Sequence, residues 1–254
     1  QGAITSINVH AANHWKVNND MSKQKNINHI LSGTLSMNYQ FNPDHVMGIR
    51  YKLSRDPKID LGGTALAEAY MDGVMYEESN ARYDIGGQYT THDINAYYNG
   101  KVNDWNIDLN LDGMWDKNKQ NQFTTQTITE TSGKTMEENM TTFNRTRNNL
   151  YAGKLVISRP LWEGQLSFGG EYSHNSRTNI YHNEEGVLDS DDSEIKEGMA
   201  SGFVEYGRSF GKLGVQAGVR YEHVGFDYYD RGKHIDEQSK TYDDVFPSLA
   251  FSLP

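Results

Sequence analysis

Hydrophobic and polar residues alternate one for one through much of this chain. In LSGTLSMNYQF, residues 31–41, Leu31, Gly33, Leu35, Met37, Tyr39 and Phe41 share one parity, and Ser32, Thr34, Ser36, Asn38 and Gln40 the other. A period of two places the two sets on opposite faces of a strand. The pattern returns in 105–115, where Trp105, Ile107, Leu109, Leu111, Gly113 and Trp115 alternate with Asn106, Asp108, Asn110 and Asp112. It returns again in 213–223, with Leu213, Val215, Ala217, Val219 and Tyr221 set against Gln216, Arg220 and Glu222.

Such segments recur at roughly 3–17, 28–41, 45–55, 81–99, 104–116, 146–159, 164–174, 197–210, 212–224 and 244–253, which predicts about ten strands. Their length of about 10–14 residues exceeds the soluble norm of about 5–6. It suffices for the roughly 9–11 residues that carry a tilted strand across a bilayer. The expected fold is all-β: an antiparallel up-and-down meander of long strands forming part of a transmembrane β-barrel.

The connections support that reading. Tight turns are expected at 42–45, 100–104, 160–164 and 210–212, where Gly, Pro, Asn and Asp gather. Between them the polar stretches 18–27, 56–80, 117–145, 175–196 and 225–243 read as long loops, so short and long connections alternate. Outer-membrane barrels have that asymmetry between their periplasmic and external rims.

Trp105 and Trp115 share a parity ten residues apart. That is about 33 Å along a strand, or roughly 25 Å after a tilt of about 40°, the spacing of a barrel's two aromatic girdles. Tyr39, Phe41 and Trp162 flank tight turns and are expected at the periplasmic girdle. Arg50, Lys52, Asp108, Glu171, Arg220 and Glu222 fall on the opposite parity, where a water-filled or plugged lumen would accept charge that lipid would not.

Composition narrows the function. Only 36% of the 254 residues are hydrophobic, and the mean hydropathy is −0.77. No run of 18 apolar residues suggests a membrane helix. A formal charge of −10 argues against binding nucleic acid, and the absence of cysteine removes disulfides and thiolate chemistry. No nucleophile elbow or phosphate-cradling loop is recognisable, so neither catalysis nor a cofactor is expected. The acidic stretch 184–197 offers Asp189, Asp191, Asp192 and Glu194 as weak candidates for a hard cation, or for bridging lipopolysaccharide through divalent ions. Tyr228, Tyr229 and Tyr242, in the expected loop 225–243, are candidates for contact with a ligand.

EGMASGFVEYGRSFGKLGVQAGVRYEHV (197–224) resembles a barrel hairpin of the TonB-dependent outer-membrane receptors, in particular the outer-membrane β-barrel family common in Bacteroidetes. AGVRYE (217–222), FPSLAFSLP (246–254) and LSMNYQFNPDHVMGIRY (35–51) are similar to its recurring strands and hairpins. The resemblance implies a receptor in the bacterial outer membrane that takes up a scarce nutrient such as a siderophore, glycan, peptide or vitamin. It also implies as partners outer-membrane lipid and lipopolysaccharide, the receptor's own plug domain, TonB, and, in a SusC-like branch, a surface lipoprotein lid. Complete members carry a signal peptide, a plug and 22 strands. None is recognisable between Gln1 and Pro254, so residues 1–254 are expected to be one incomplete barrel segment. Two alternatives stand beside it: a complete ten-stranded outer-membrane barrel enzyme, and a soluble β-sandwich that binds glycans.

Overall fold

The computed structural model describes residues 4–10 and 15–253, and nearly all of them are extended. One antiparallel sheet of twelve strands holds β1 (Ile4–His10), β2 (Trp15–Ile27), β3 (Leu31–Asn42), β4 (His45–Met71), β5 (Val74–Val102) and β6 (Trp105–Glu130). It continues through β7 (Thr135–Leu161), β8 (Gly164–Asn183), β9 (Asp191–Phe210), β10 (Leu213–Asp230), β11 (Lys233–His234) and β12 (Lys240–Ser252). From β4 to β10 each strand pairs with the next, and β12 closes against β10, which makes the expected meander. Among the described residues β3 and β12 do not pair with each other, so the sheet is an open, curved wall.

Two-residue turns at 43–44, 103–104, 162–163 and 211–212 mark the lower end of the wall. All four fall within the predicted tight turns. Trp162 and Glu163 both take positive φ, 45° and 58°, a conformation costly for side chains with a Cβ. Tyr206 Oη holds this turn by donating to the carbonyls of Leu161 and Trp162 at 3.1 and 2.8 Å, and Arg208 pairs with Glu163.

The upper end departs from expectation. Most of 56–80, 117–145, 175–196 and 225–243 is strand, and the connections there shrink to 72–73, 131–134, 184–190 and a 231–239 segment containing β11. β4 to β7 therefore run 26–29 residues each, roughly 90 Å at about 3.3 Å per residue. Only part of such a strand can lie in a membrane, and the rest stands above it.

The expected strand 3–17 and loop 18–27 are also redrawn. Residues 4–10 form β1, residues 3 and 11–14 lie outside the described set, and 15–27 form β2. β2 and β3 lie end to end along one strand, β2 on the upper half of β4 (Trp15 opposite Met71, Ile27 opposite Asp60) and β3 on the lower half (Leu31 opposite Arg55). They act as a single stave broken at 28–30.

Beside that break β4 carries a bulge between Asp56 and Ile59. Asp56 is 1% exposed, and its carboxylate accepts the backbone N–H groups of His29 and Lys58. One extra residue in a strand moves every later side chain to the other face. Ile59 and Leu61 thereby leave the face of Leu53 and join that of Tyr89 and Ile85.

The wall has no apolar core. Among the described residues no hydrophobic side chain is buried, and the few buried ones are polar: Asp56, Ser79, Thr124, Thr142 and Asn183. Most of the large hydrophobic groups of the lower half lie instead on one outward surface, with Leu35, Met37, Leu111, Leu155, Val204, Val219, Leu249 and Phe251 all exposed.

Candidate functional site

Cross-strand register fixes what shares a face. One row of paired residues runs Tyr39, Met47, Tyr98, Leu109, Leu155, Gly170, Gly202, Tyr221 and Val245 across the whole wall. The row between it and the next such row is Asn38, Gly48, Tyr97, Asn110, Lys154, Glu171, Ser201, Glu222 and Asp244. Apolar rows alternate with polar rows because each strand has period two and antiparallel partners project to the same side.

The polar face is the concave one. Four recesses, of about 510, 720, 230 and 620 Å³, are all lined chiefly by its residues. Arg50, Lys52, Asp108, Glu171, Arg220 and Glu222, the six residues expected toward the lumen, all project from it. Arg220 binds Glu222 on its own strand and reaches across β9 to Glu171 Oε2 at 3.7 Å. Asn95 Nδ2 donates to Asp112 Oδ1 at 2.7 Å, and Tyr97 Oη to Asn38 Oδ1 at 3.0 Å. Gly48 leaves the space that the Tyr97 ring fills. Arg50, Lys52 and Asp93 line the recess of about 620 Å³.

The convex face carries two aromatic lines. At the lower end Tyr39 packs edge-on against Phe41 with centroids 4.8 Å apart, and the Tyr98 hydroxyl meets His45 Nδ1 at 2.7 Å. Trp105 packs against Phe168, with the Arg159 guanidinium 4.7 Å from its ring centroid. Trp162 stands in its turn, 76% exposed. Higher up, Tyr51 Oη lies 2.6 Å from His92 Nδ1, Trp115 Nε1 donates to Tyr151 Oη at 2.9 Å, and His223 Nδ1 lies 2.8 Å from Asp243. Each tight turn lies about two residues further down the register than the one before it, the stagger of tilted barrel strands. Both aromatic lines step the same way and so stay parallel.

Two sets of candidate residues are redrawn. Asp191, Asp192 and Glu194 stand on β9, where successive residues face opposite sides, so Asp192 and Glu194 point away from Asp191. Asp191 Oδ2 is taken by Asn179 and Ser193, Glu194 by Ser176 and Lys196, and Asp189 belongs to the 184–190 connection. Among the described residues no group of three or more acidic or histidine side chains is placed to hold a metal. Tyr228 and Tyr229 are on β10 and Tyr242 on β12, not in a loop. Tyr228 and Tyr242 share the concave face, whereas Tyr229 lies on the other, against His234 and under Lys196 Nζ.

Two features escaped the sequence. The bulge turns Ile59 and Leu61 inward beside Ile85 and Tyr89, making an apolar ledge in the recess of about 230 Å³ opposite Asp116, Asn118 and Gln120. Loop 184–190 is pinned by Glu185, whose carboxylate accepts the Thr141 N–H at 2.6 Å and its hydroxyl at 2.8 Å. The Thr141 N–H, more than any other group, holds the Glu185 carboxyl below its usual pKa.

Residues 98–253 match the model of the outer membrane protein beta-barrel family. No curated protein matches the chain. Among solved structures it is similar to the outer membrane protease OmpT from Escherichia coli, at 14% identity and TM-score 0.35 over 98% of this chain and 91% of that one. It is also similar to the ferric citrate transporter FecA in its unliganded form, at 9% identity and TM-score 0.46, and to the ferric-catecholate import receptor Fiu from K12 E. coli, at 9% and 0.42. The chain spans 40% and 46% of those two receptors' lengths. The family match takes in more than half of the residues and falls on the wall just described, so this chain belongs to the outer membrane protein beta-barrel family and resides in the bacterial outer membrane.

Proposed function

We propose that this wall is part of a TonB-dependent uptake receptor, which binds a small nutrient outside the cell and admits it through a lumen filled by a plug domain. One observation carries the reading: a concave face lined with ions and amides, backed by an apolar convex face with no core behind it. A membrane supplies the apolar solvent for the convex side, and only water or a polar body suits the other.

The free edges of β3 and β12 fit a larger barrel, since unpaired backbone groups in lipid cost several kcal/mol each. Further strands complete the ring around a plug, and the Glu171, Arg220 and Glu222 group and the basic pair Arg50 and Lys52 face that plug. The tall upper sheet, with its ledge of Ile59, Leu61, Ile85 and Tyr89, forms the mouth where cargo first meets the protein. No catalytic step is assigned.

The test uses the natural, full-length protein in its own outer membranes. Purified periplasmic domain of TonB should be retained by membranes that contain the protein and pass through membranes of a deletion strain. Equal retention by both would overturn the proposal.

A further inference from the structure

The convex face carries five cations above the upper aromatic line, two to six residues along their strands from Trp115, Tyr51 or Tyr151. Lys117 is paired directly with Arg147, and Lys119 with Arg145, across β6 and β7. Arg55 lies in the row of Lys117, two strands away with Thr90 between them. All five are exposed. Directly opposed side chains have Cβ atoms about 4.5–5.5 Å apart, and like charges there destabilise a sheet.

No carboxylate on this face pairs with them. Among the described residues none of the five has a carboxylate within ion-pair distance. Asp116, beside Lys117 in sequence, points to the concave side and accepts from Thr91. Asp60 and Asp84, further up the convex face, are held by Lys25 and Arg82. Glu194 and Asp192 share the rows of Arg147 and Arg145 but stand two strands away on β9, beyond ion-pair distance, and Glu194 is held by Lys196 and Ser176. The cations of the lower rim differ, since Arg159 covers Trp105 and Arg208 both pairs with Glu163 and covers Phe210. In a chain of formal charge −10, five exposed cations without an ion-pair partner form a surface suited to an external anion.

Height identifies that anion. Lys117 follows Trp115 by two residues on the same face, roughly 5 Å higher after tilt, and Lys119 stands about 10 Å above it. An aromatic belt sits at the headgroup boundary of a bilayer, so the cations stand at the level of the headgroups. We infer that Arg55, Lys117, Lys119, Arg145 and Arg147 form a binding site for the phosphates of a glycolipid in the outer leaflet, the lipopolysaccharide core and lipid A. Arginine presents paired donors to phosphate oxygens, and the two lysines add point charge. The site is independent of whatever crosses the lumen.

The experiment compares the natural protein with a K117Q/K119Q/R145Q/R147Q variant and with a Lys134→Gln control, whose charge lies at the top of the sheet. Detergent-solubilised proteins are titrated with bisphosphorylated lipid A, with the same lipid after phosphatase treatment, and with inorganic phosphate. The natural protein and the control should bind the bisphosphorylated lipid more than about tenfold tighter than the variant does, a loss of at least one phosphate contact. The dephosphorylated lipid should bind all three proteins alike, and millimolar inorganic phosphate should not displace the lipid.

Without lipid, the variant should melt at a higher temperature than the natural protein because repulsion is relieved. With lipid, that order should reverse. Equal lipid affinity of variant and natural protein, indifference to the phosphates, or complete displacement by inorganic phosphate would each overturn the inference.

Discussion

Asp56 accepts the backbone N–H of His29 with both carboxylate oxygens, each at 3.1 Å, across the gap between two halves of one stave. It also accepts the Lys58 N–H at 3.0 Å, so one buried side chain satisfies both the broken stave and the bulge beside it. Asp56→Ala strands those donors and should destabilise the wall by about 2–3 kcal/mol. Urea unfolding in lipid vesicles reads this, and a change within about 0.5 kcal/mol would show that the bulge does not depend on Asp56.

The two tryptophans of β6 should report opposite edges of the bilayer. Lipids brominated near the headgroup should quench both Trp105 and Trp115, whereas lipids brominated near the chain ends should quench neither strongly, each read in a variant retaining only that tryptophan. Strong quenching of either by the deep bromines would remove it from its aromatic line.

On the concave face, Arg220→Ala leaves Glu171 and Glu222 facing each other without their shared cation. These groups are about 30% exposed, so the expected loss is about 1–2 kcal/mol, below that of a fully buried pair. Adding Glu171→Gln and Glu222→Gln to that variant should restore most of it. A triple variant as weak as Arg220→Ala would mean that the arginine acts by packing alone.

Two upper connections should respond to pH in opposite directions. His234 Nε2 lies 3.2 Å from Asp227 and its Nδ1 2.8 Å from Asp236, and the Asp227 hydrogen bond first, with Asp236 after it, raises its pKa. Its support of segment 231–239 is full below the ordinary histidine pKa of about 6.5 and is lost as pH rises through the raised value. Glu185 has a lowered pKa, so its hold on loop 184–190 is full above the ordinary carboxylate range and is lost as pH falls through the depressed value. Hydrogen exchange should quicken in 231–239 on alkalinisation and in 184–190 on acidification. His234→Gln and Glu185→Gln should each abolish only its own response.

Much of this architecture is legible in the alternation of side chains. Leu31 to Phe41 and Trp105 to Trp115 show their two faces directly because each face meets a different solvent, and the tight turns show in their Gly, Pro, Asn and Asp. The upper sheet is not legible in that way. In 117–130, Lys, Asn, Gln and Thr occupy both parities because both faces meet water, so the period vanishes while the cross-strand pairing to β7 continues. The same blindness made Tyr228 and Tyr242 look like loop residues. The inward turn of Ile59 and Leu61 depends on one extra residue near Pro57, whose effect appears only once the partner strand is in place. The paired cations of β6 and β7 lie about thirty residues apart in sequence and become a cluster only through their register.

The central claim, that one face of the wall meets lipid and the other an aqueous or plugged interior, is tested most directly by paired spin labels in a chain that has no native cysteine. Single cysteines at positions 35 and 36 of β3, and at 109 and 110 of β6, would be labelled in membranes. Their collision rates with lipid-soluble oxygen and with an aqueous nickel chelate would then be measured. Labels at 35 and 109 should favour oxygen, and labels at 36 and 110 should not. Equal accessibility within each pair, or oxygen preference at 36 and 110, would contradict the assignment of the two faces.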